Sequence, residues 1–186
     1  MAKHKISRRF HEQVEWAFRK QRNANLLAER GFHDCIVVLD GLNPSHNIGK
    51  IFRSGEVFGV REIHVINTPL FNVSPAKGAF KRVPAIFYDN FSDSYQALRQ
   101  QGYTIYALYP DENHFVQTAE LAPKAAFVVG HEENGLSFRP EQYPEVVPLA
   151  IAQYGVTQSL NVAVAASICL YEYAKQHGQS PDVSIK

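Results

Sequence analysis

The sequence predicts an α/β protein: a parallel sheet flanked by helices, with a helical arm at its N-terminus. Short continuous runs such as Cys35-Ile-Val-Val-Leu39, Glu62-Ile-His-Val-Ile66, Thr104-Ile-Tyr-Ala-Leu108 and Ala125-Ala-Phe-Val-Val129 read as buried strands, the pattern of a parallel sheet. Helix-like segments stand between them, so the order strand–loop–helix–strand repeats. At 186 residues, 45% hydrophobic and 20% charged, the chain suits one domain with a real core.

Taken in order, Ile6, Phe10, Val14 and Ala17/Phe18 form a helical stripe within residues 6–29, with the bases off it. Gly31 ends that pattern. After the strand at 35–39 comes a turn-rich loop, Asp40-Gly-Leu-Asn-Pro-Ser-His-Asn-Ile-Gly49, which closes on a cap-like Asn47. The next helix runs to about Phe58, stopped by Gly59, and leads to the strand at 62–66. Residues 67–83 read as a loop, basic at its end. A strand at 85–88, a helix near 92–101 and the strand at 104–108 follow. A polar loop reaches His114, and the strand at 125–129 runs into Gly130-His-Glu-Glu-Asn-Gly-Leu-Ser137. A short strand at 145–147 precedes the closing loop.

The last helical pattern spans 158–175, with Val162, Ala166, Cys169/Leu170 and Tyr173 on one face and Ser159 as its cap. Ala163, Ala165 and Ala166 are small enough for another backbone to come close. The expected organisation is a basic arm at 1–31, one domain at 32–178 and a tail at 179–186.

Several classes are set aside. No apolar run approaches the roughly 20 residues that span a bilayer, and the N-terminus lacks a secretory h-region. Cys35 and Cys169 sit in apolar surroundings and read as buried thiols of a reducing compartment, so a cytoplasmic protein is expected. Pro44 stands where a P-loop ending in Gly49-Lys50 requires a glycine. There is no Gly-x-Gly-x-x-Gly turn, and Ser159 lacks the Gly-x-Ser-x-Gly elbow. His33, His46, His64, His114 and His131 show no paired metal-ligand spacing, so no metal is expected.

The charge is uneven. Residues 1–30 carry eight Lys/Arg (Lys3, Lys5, Arg8, Arg9, Arg19, Lys20, Arg22, Arg30) against three Glu, a local charge of +5; the whole chain is +1, which leaves −4 for residues 31–186. Lys77, Lys81 and Arg82 form a second basic group. A basic arm suits either a phosphate-rich partner or a solvated helix face.

Ligands of an open parallel sheet bind beyond the carboxyl ends of its strands. The polar residues of the loops at 41–49, 130–137 and 148–161 are therefore the candidates: Asn47 and Arg53, Glu132, and Ser159 with Asn161. Asn47-Ile-Gly-Lys-Ile-Phe-Arg53, Gly130-His-Glu-Glu-Asn-Gly-Leu-Ser137, and Val147-Pro-Leu followed by Gly155-Val-Thr-Gln-Ser-Leu-Asn-Val-Ala-Val-Ala165 resemble, in order, three motifs of the SpoU/TrmH family. These are S-adenosylmethionine-dependent RNA ribose 2′-O-methyltransferases of the SPOUT class.

The resemblance implies a homodimer and a C-terminal deep trefoil knot; composition does not reveal such a knot, and the general rule is that chains are not knotted. It implies S-adenosylmethionine held mainly by backbone groups at Leu108, Gly130, Val147, Leu149, Ser159 and Leu160. By the same resemblance Arg53 helps to activate the ribose hydroxyl of a tRNA or rRNA, with Asn47, Glu132, Ser159 and Asn161 as positioning groups. Lys3, Lys5, Arg8, Arg9, Arg19, Arg22, Lys77, Lys81 and Arg82 would meet phosphates. A 2′-hydroxyl is a poor nucleophile, so a site of this kind must align and activate it.

Two departures stand out. His131 occupies the place of the family's usual Asn, and residues 150–154 lengthen the third motif by about four residues. The alternative class is therefore an RNA-binding protein of the same fold whose cofactor pocket is spoiled.

Overall fold

The computed structural model describes residues 2–110, 113–156 and 159–178, with backbone alone for 2–9. The expected tail at 179–186 and the turn at 157–158 lie outside the described residues. Six strands form one sheet: β1 (His33–Asp40), β2 (Val60–Ile66), β3 (Ala85–Tyr88), β4 (Thr104–Leu108), β5 (Ala125–Gly130) and β6 (Val146–Leu149). Their order in space is β3-β2-β1-β5-β4-β6, and every pairing is parallel.

Side-chain alternation along the strands divides the interior in two. Cys35, Val37 and Leu39 of β1 and Phe127 and Val129 of β5 face one core, which takes in helices α1 (Ala2–Asn25), α2 (His46–Val57) and α4 (Val162–His177). Ile36, Val38, Ala126 and Val128 face the other, closed by Phe91 and Leu98 of α3 (Phe91–Gln100). The predicted α4 stripe is buried as a unit, from Val162 through Ala166, Cys169 and Leu170 to Tyr173. Among the alanines, Ala163 and Ala166 are buried and Ala165 is half-buried.

Both cysteines are buried free thiols. Burial pushes Cys169 up to about 12 and raises Cys35 well above the thiol range, so neither presents a thiolate nucleophile.

Helix boundaries move where side chains are used elsewhere. α1 ends at Asn25, short of the predicted 29, because the Asn25 amide donates to the Phe80 and Val83 carbonyls (2.6 and 2.7 Å). Phe18, stacked on Phe80 with centroids 5.4 Å apart, is the arm's other anchor. Gly31 is not its cap. A Cβ there would lie 2.1 Å from the Val60 carbonyl oxygen, so glycine is needed for the chain to pass the start of β2. The segment at 67–83 is no open loop: two 3₁₀ turns, Ser74–Ala76 and Ala79–Lys81, pack on α2.

The connections after β4 and β6 lie against each other. Residues Phe115 and Ala150 bridge in parallel, and the Gln117 side chain exchanges two hydrogen bonds with Ala152 (3.1 and 3.2 Å). Farther along the same connection, Gln176 bonds Leu121 N–H and the Ala119 carbonyl (both 2.9 Å), and the Tyr173 hydroxyl donates to the Pro123 carbonyl (2.6 Å). The 115–123 segment thus holds the chain both before and at the end of α4.

A buried polar set lies on the α3 side. His64 stands 3.2 Å from Glu62 Oε1 and 2.8 Å from Ser94 Oγ, and Arg30 reaches Glu62 Oε2 at 3.1 Å. Although the order resembles a nucleophile triad, Ser94, His64 and Glu62 are closed to solvent and to any substrate. Burial would raise the Glu62 carboxyl, but the His64 hydrogen bond and the surrounding positive charges outweigh it and the net shift is downward. A depressed carboxyl contributes stability that is full above its unfolded value, about 4.3, and lost as pH falls through the folded value. Glu62→Gln should therefore cost about 1–3 kcal/mol in urea unfolding at pH 7 and progressively less below about pH 4. Equal urea midpoints for variant and parent at pH 7 would refute this.

Candidate active site

β1 and β5 lie side by side at the centre of the sheet, with Asp40 opposite Gly130 at their carboxyl ends. The loops that follow therefore leave the sheet together. The side chains on them join into one chain of hydrogen bonds.

Asn47 sits in the first turn of α2 and does not cap it; Ser45 holds the cap position without a side-chain bond. This leaves the Asn47 amide available to cross to the second loop, where Nδ2 donates to Glu132 Oε1 (2.7 Å). Glu132 Oε2 accepts the Asn43 N–H (3.3 Å). On its other side Asn47 Oδ1 accepts from Asn161 Nδ2 (3.1 Å), and Asn161 Oδ1 accepts the Ala163 N–H (3.0 Å). Asn161, not Ser159, is thus the cap of α4, which starts at Val162 rather than at 158. Partial burial alone would raise the Glu132 carboxyl, but the bonds from Asn47 and from backbone N–H groups hold it below the usual carboxylate range. It is an anionic acceptor and a weak base.

His131 does the work expected of an asparagine. Its Nδ1 accepts the N–H groups of Glu133 (3.1 Å) and Asn134 (3.3 Å), the bonds by which an Asx side chain closes a turn on itself. Main-chain bonds between His131 and Gly135 (2.8 and 2.9 Å) complete the turn. The turn folds back so closely that a Cβ on Gly130 would lie 2.5 Å from the Gly135 carbonyl.

Two adjoining cavities open between the loops. One, about 490 Å³, is walled by Leu108, Tyr109, Phe115, Leu149, Ile151 and Gln153. The other, about 380 Å³, is walled by Val129, Gly130, Glu132 and Asn161. Leu108, Ser159, Leu160 and Ala165 line both. Of the six backbone positions expected to hold a cofactor, Leu108, Gly130, Leu149, Ser159 and Leu160 meet here. Val147 does not; it borders a separate cavity with His114 and Glu120. The lengthened segment after β6 forms a wall of the first cavity and leaves it open.

Arg53 is exposed on α2 and bonds no other described residue. One turn back, Lys50 lines a groove of about 680 Å³ between α2 and α4 with Asn161, Val164, Ile168 and Tyr171. The Ser54 and Ser167 hydroxyls meet across it at 2.7 Å.

The predicted phosphate contacts divide. Lys77 and Lys81 are exposed, Arg19 pairs with Glu15, and Arg82 pairs with Glu56 at 2.8 Å. Arg22 is held against the body: its guanidinium bonds Asn25 and the Ala85 carbonyl and lies 4.5 Å above Phe87. The side chains of Lys3, Lys5, Arg8 and Arg9 lie outside the described residues. Among the described residues no group of three His, Cys, Asp or Glu side chains could hold a metal.

Sequence reasoning missed Asp40, Asn43 and Ser137. Asp40 is fully buried, and its carboxylate accepts both the N–H and the hydroxyl of Ser137 (2.6 Å each). The available signal was an acid closing an apolar strand, which needs a partner wherever it is buried.

Known proteins share this architecture. A model described as the SpoU rRNA Methylase family matches residues 34–171. The 23S rRNA (guanosine-2′-O-)-methyltransferase RlmB of Coxiella burnetii is 31% identical over 157 residues, 82% of this chain and 62% of that protein. The tRNA (guanosine(18)-2′-O)-methyltransferase of Thermus thermophilus is 31% identical over 168 residues, 84% of this chain and 82% of that one. A crystal structure of the A. aeolicus TrmH/SpoU tRNA modifying enzyme superposes with a TM-score of 0.70 at 27% identity, covering 85% of this chain and 82% of that one. The chain spans less than two thirds of several curated relatives, the Coxiella protein among them. With the match running from β1 into α4 and the three loops converging on one site, the chain belongs to the SpoU rRNA methylase family.

Proposed function

We propose that this protein transfers the methyl group of S-adenosylmethionine to a ribose 2′-hydroxyl of tRNA or rRNA. The observation that carries the proposal is the hydrogen-bond chain Ala163–Asn161–Asn47–Glu132–Asn43, which joins three loops at the rim of the paired cavities. The cavities fall in the size range of small-molecule sites and combine apolar walls with a polar rim, which fits a nucleoside-bearing cofactor. When bound, S-adenosylmethionine supplies an electrophilic methyl: the 2′-oxygen takes it as the sulfonium–methyl bond breaks, S-adenosylhomocysteine leaves, and the hydroxyl proton passes to solvent.

The chain's own groups orient and shield. Leu108, Leu149 and Phe115 present apolar surface to a purine. Glu132, engaged by Asn47 and Asn43, holds the second loop against α2 rather than taking the proton. Arg53 is a poor base, so its part is to hold a phosphate or the developing oxyanion in line with the methyl.

Lys77, Lys81 and the basic arm supply phosphate contacts, which makes RNA affinity fall with salt. The 115–123 segment, tied to the chain before α4 and to the last turns of α4 itself, supports the deep trefoil knot. The groove between α2 and α4, with Val164, Tyr171 and the nearby Val57 exposed, suits a second copy of the chain in a homodimer. Two buried thiols suit a reducing compartment such as the cytoplasm, and among the described residues no helix is long and apolar enough to cross a membrane. The open cavity beside the lengthened loop favours an enzyme over a cofactor-free RNA binder.

Calorimetric titration should find about one S-adenosylmethionine per protomer; a folded, cofactor-free protein that binds none would leave the RNA-binding alternative. Arg53→Ala should cut methyl transfer by roughly 100-fold or more while changing cofactor affinity by less than about threefold. A matching loss of cofactor affinity would make Arg53 structural instead. Tyr171→Glu should shift sedimentation toward the monomer, and an unchanged dimer would place the interface elsewhere.

A further inference from the structure

The hydrogen-bond chain that presents Glu132 is open to water along most of its length. Asn43, Glu132 and Asn161 are exposed and Asn47 is half-buried, so solvent competes for these bonds and none of them can hold the loops together unaided. The rigid element is beneath them. Asp40 ends β1, is closed to solvent, and has both carboxylate oxygens engaged by Ser137. No Lys, Arg or His pairs with Asp40 among the described residues, so its charge is answered by the second loop. Burial pushes the Asp40 carboxyl upward against these two bonds.

Loss of the Ser137 contacts would strand a buried carboxylate, and that penalty keeps the loop in place. Both ends of the pair are anchored. Asp40 lies in the sheet opposite Gly130, and Phe138, next to Ser137, stacks on Phe91 of α3 with centroids 3.7 Å apart and planes 8° from parallel.

We infer that Asp40 and Ser137 are a positioning pair for methyl transfer, clamping the base of the second loop to the base of the first so that Glu132 meets Asn43 and Asn47. The pair joins the same two loops as Glu132, one level lower. Neither residue lines either of the paired cavities. The inference deepens the methyltransferase reading and rests on it for its catalytic consequence, whereas its mechanical consequence can be read without catalysis.

The test compares Ser137→Ala, Asp40→Leu and Asp40→Asn in the full chain, alone and combined with Glu132→Ala. Ser137→Ala should lower kcat roughly 10- to 100-fold, the range for outer groups that orient a working one, with S-adenosylmethionine affinity within about threefold. Asp40→Asn should rescue most of what Asp40→Leu loses, because its amide can accept the Ser137 N–H and donate to the hydroxyl. In the Glu132→Ala background, Ser137→Ala should cost nothing further, since it acts through Glu132. Amide exchange at Asn43 and at 133–135 should quicken in Ser137→Ala, while the stacked Phe91 and Phe138 keep the variant folded. Additive losses with Glu132→Ala, a parallel fall in cofactor affinity, or unchanged exchange would each overturn the clamp. A parent protein that methylates no RNA would defeat the methyltransferase reading, and the exchange comparison would still decide whether the clamp exists.

Discussion

The pairing of β1 with β5 is the constraint on which the rest of the molecule depends. These strands are parallel and buried on both faces, so their carboxyl ends lie at the same level. Two loops distant in sequence must leave from one point. α4 then packs on both strands and on α2, which brings Asn161 to Asn47 and closes the site from the third side. A slip of one residue between β1 and β5 would turn every strand side chain to the wrong core. It would also separate Asp40 from Ser137.

Burial grades the polar groups of this region by what they can do. Asp40 is closed to solvent, so its bonds to Ser137 are costly to break. Glu132 and Asn161 are exposed and Asn47 is half-buried, so their bonds are weaker and exchangeable. A substrate must be able to displace water, and sometimes a protein partner, from groups at the rim. The arrangement therefore places permanence below and adaptability above. The Glu62–His64–Ser94 set shows the converse: similar chemistry sealed inside the α3 side serves stability alone.

Elements defined by hydrophobic periodicity were legible in the sequence. β4 falls at the expected residues, β1, β2, β3 and β5 extend or match the apolar runs, and the buried face of α4 is the predicted stripe. Boundaries set by side chains acting at a distance were not legible. Asn25 ends α1 because residues 80–85 claim its amide, and Asn47 does not cap α2 because Glu132 claims it. Both look like local punctuation until the tertiary partner is known. The surroundings of Arg22 were illegible for the same reason, since charge alone does not reveal its contacts with Asn25, Ala85 and Phe87. Of the site, the loop residues with chemical side chains could be found, whereas the buried acid beneath them could not.

The two departures from the family's motifs follow from which atoms a position must supply. At 131 the turn needs an acceptor aimed at two successive N–H groups, and an imidazole Nδ1 provides it as an amide oxygen does. Between 150 and 154 the requirement is a wall for the cavity and a partner for the 115–117 segment. The longer chain meets both through main-chain and Gln117 bonds that do not depend on its side chains. A backbone-built wall tolerates changes of length and composition that a side-chain-built one would not.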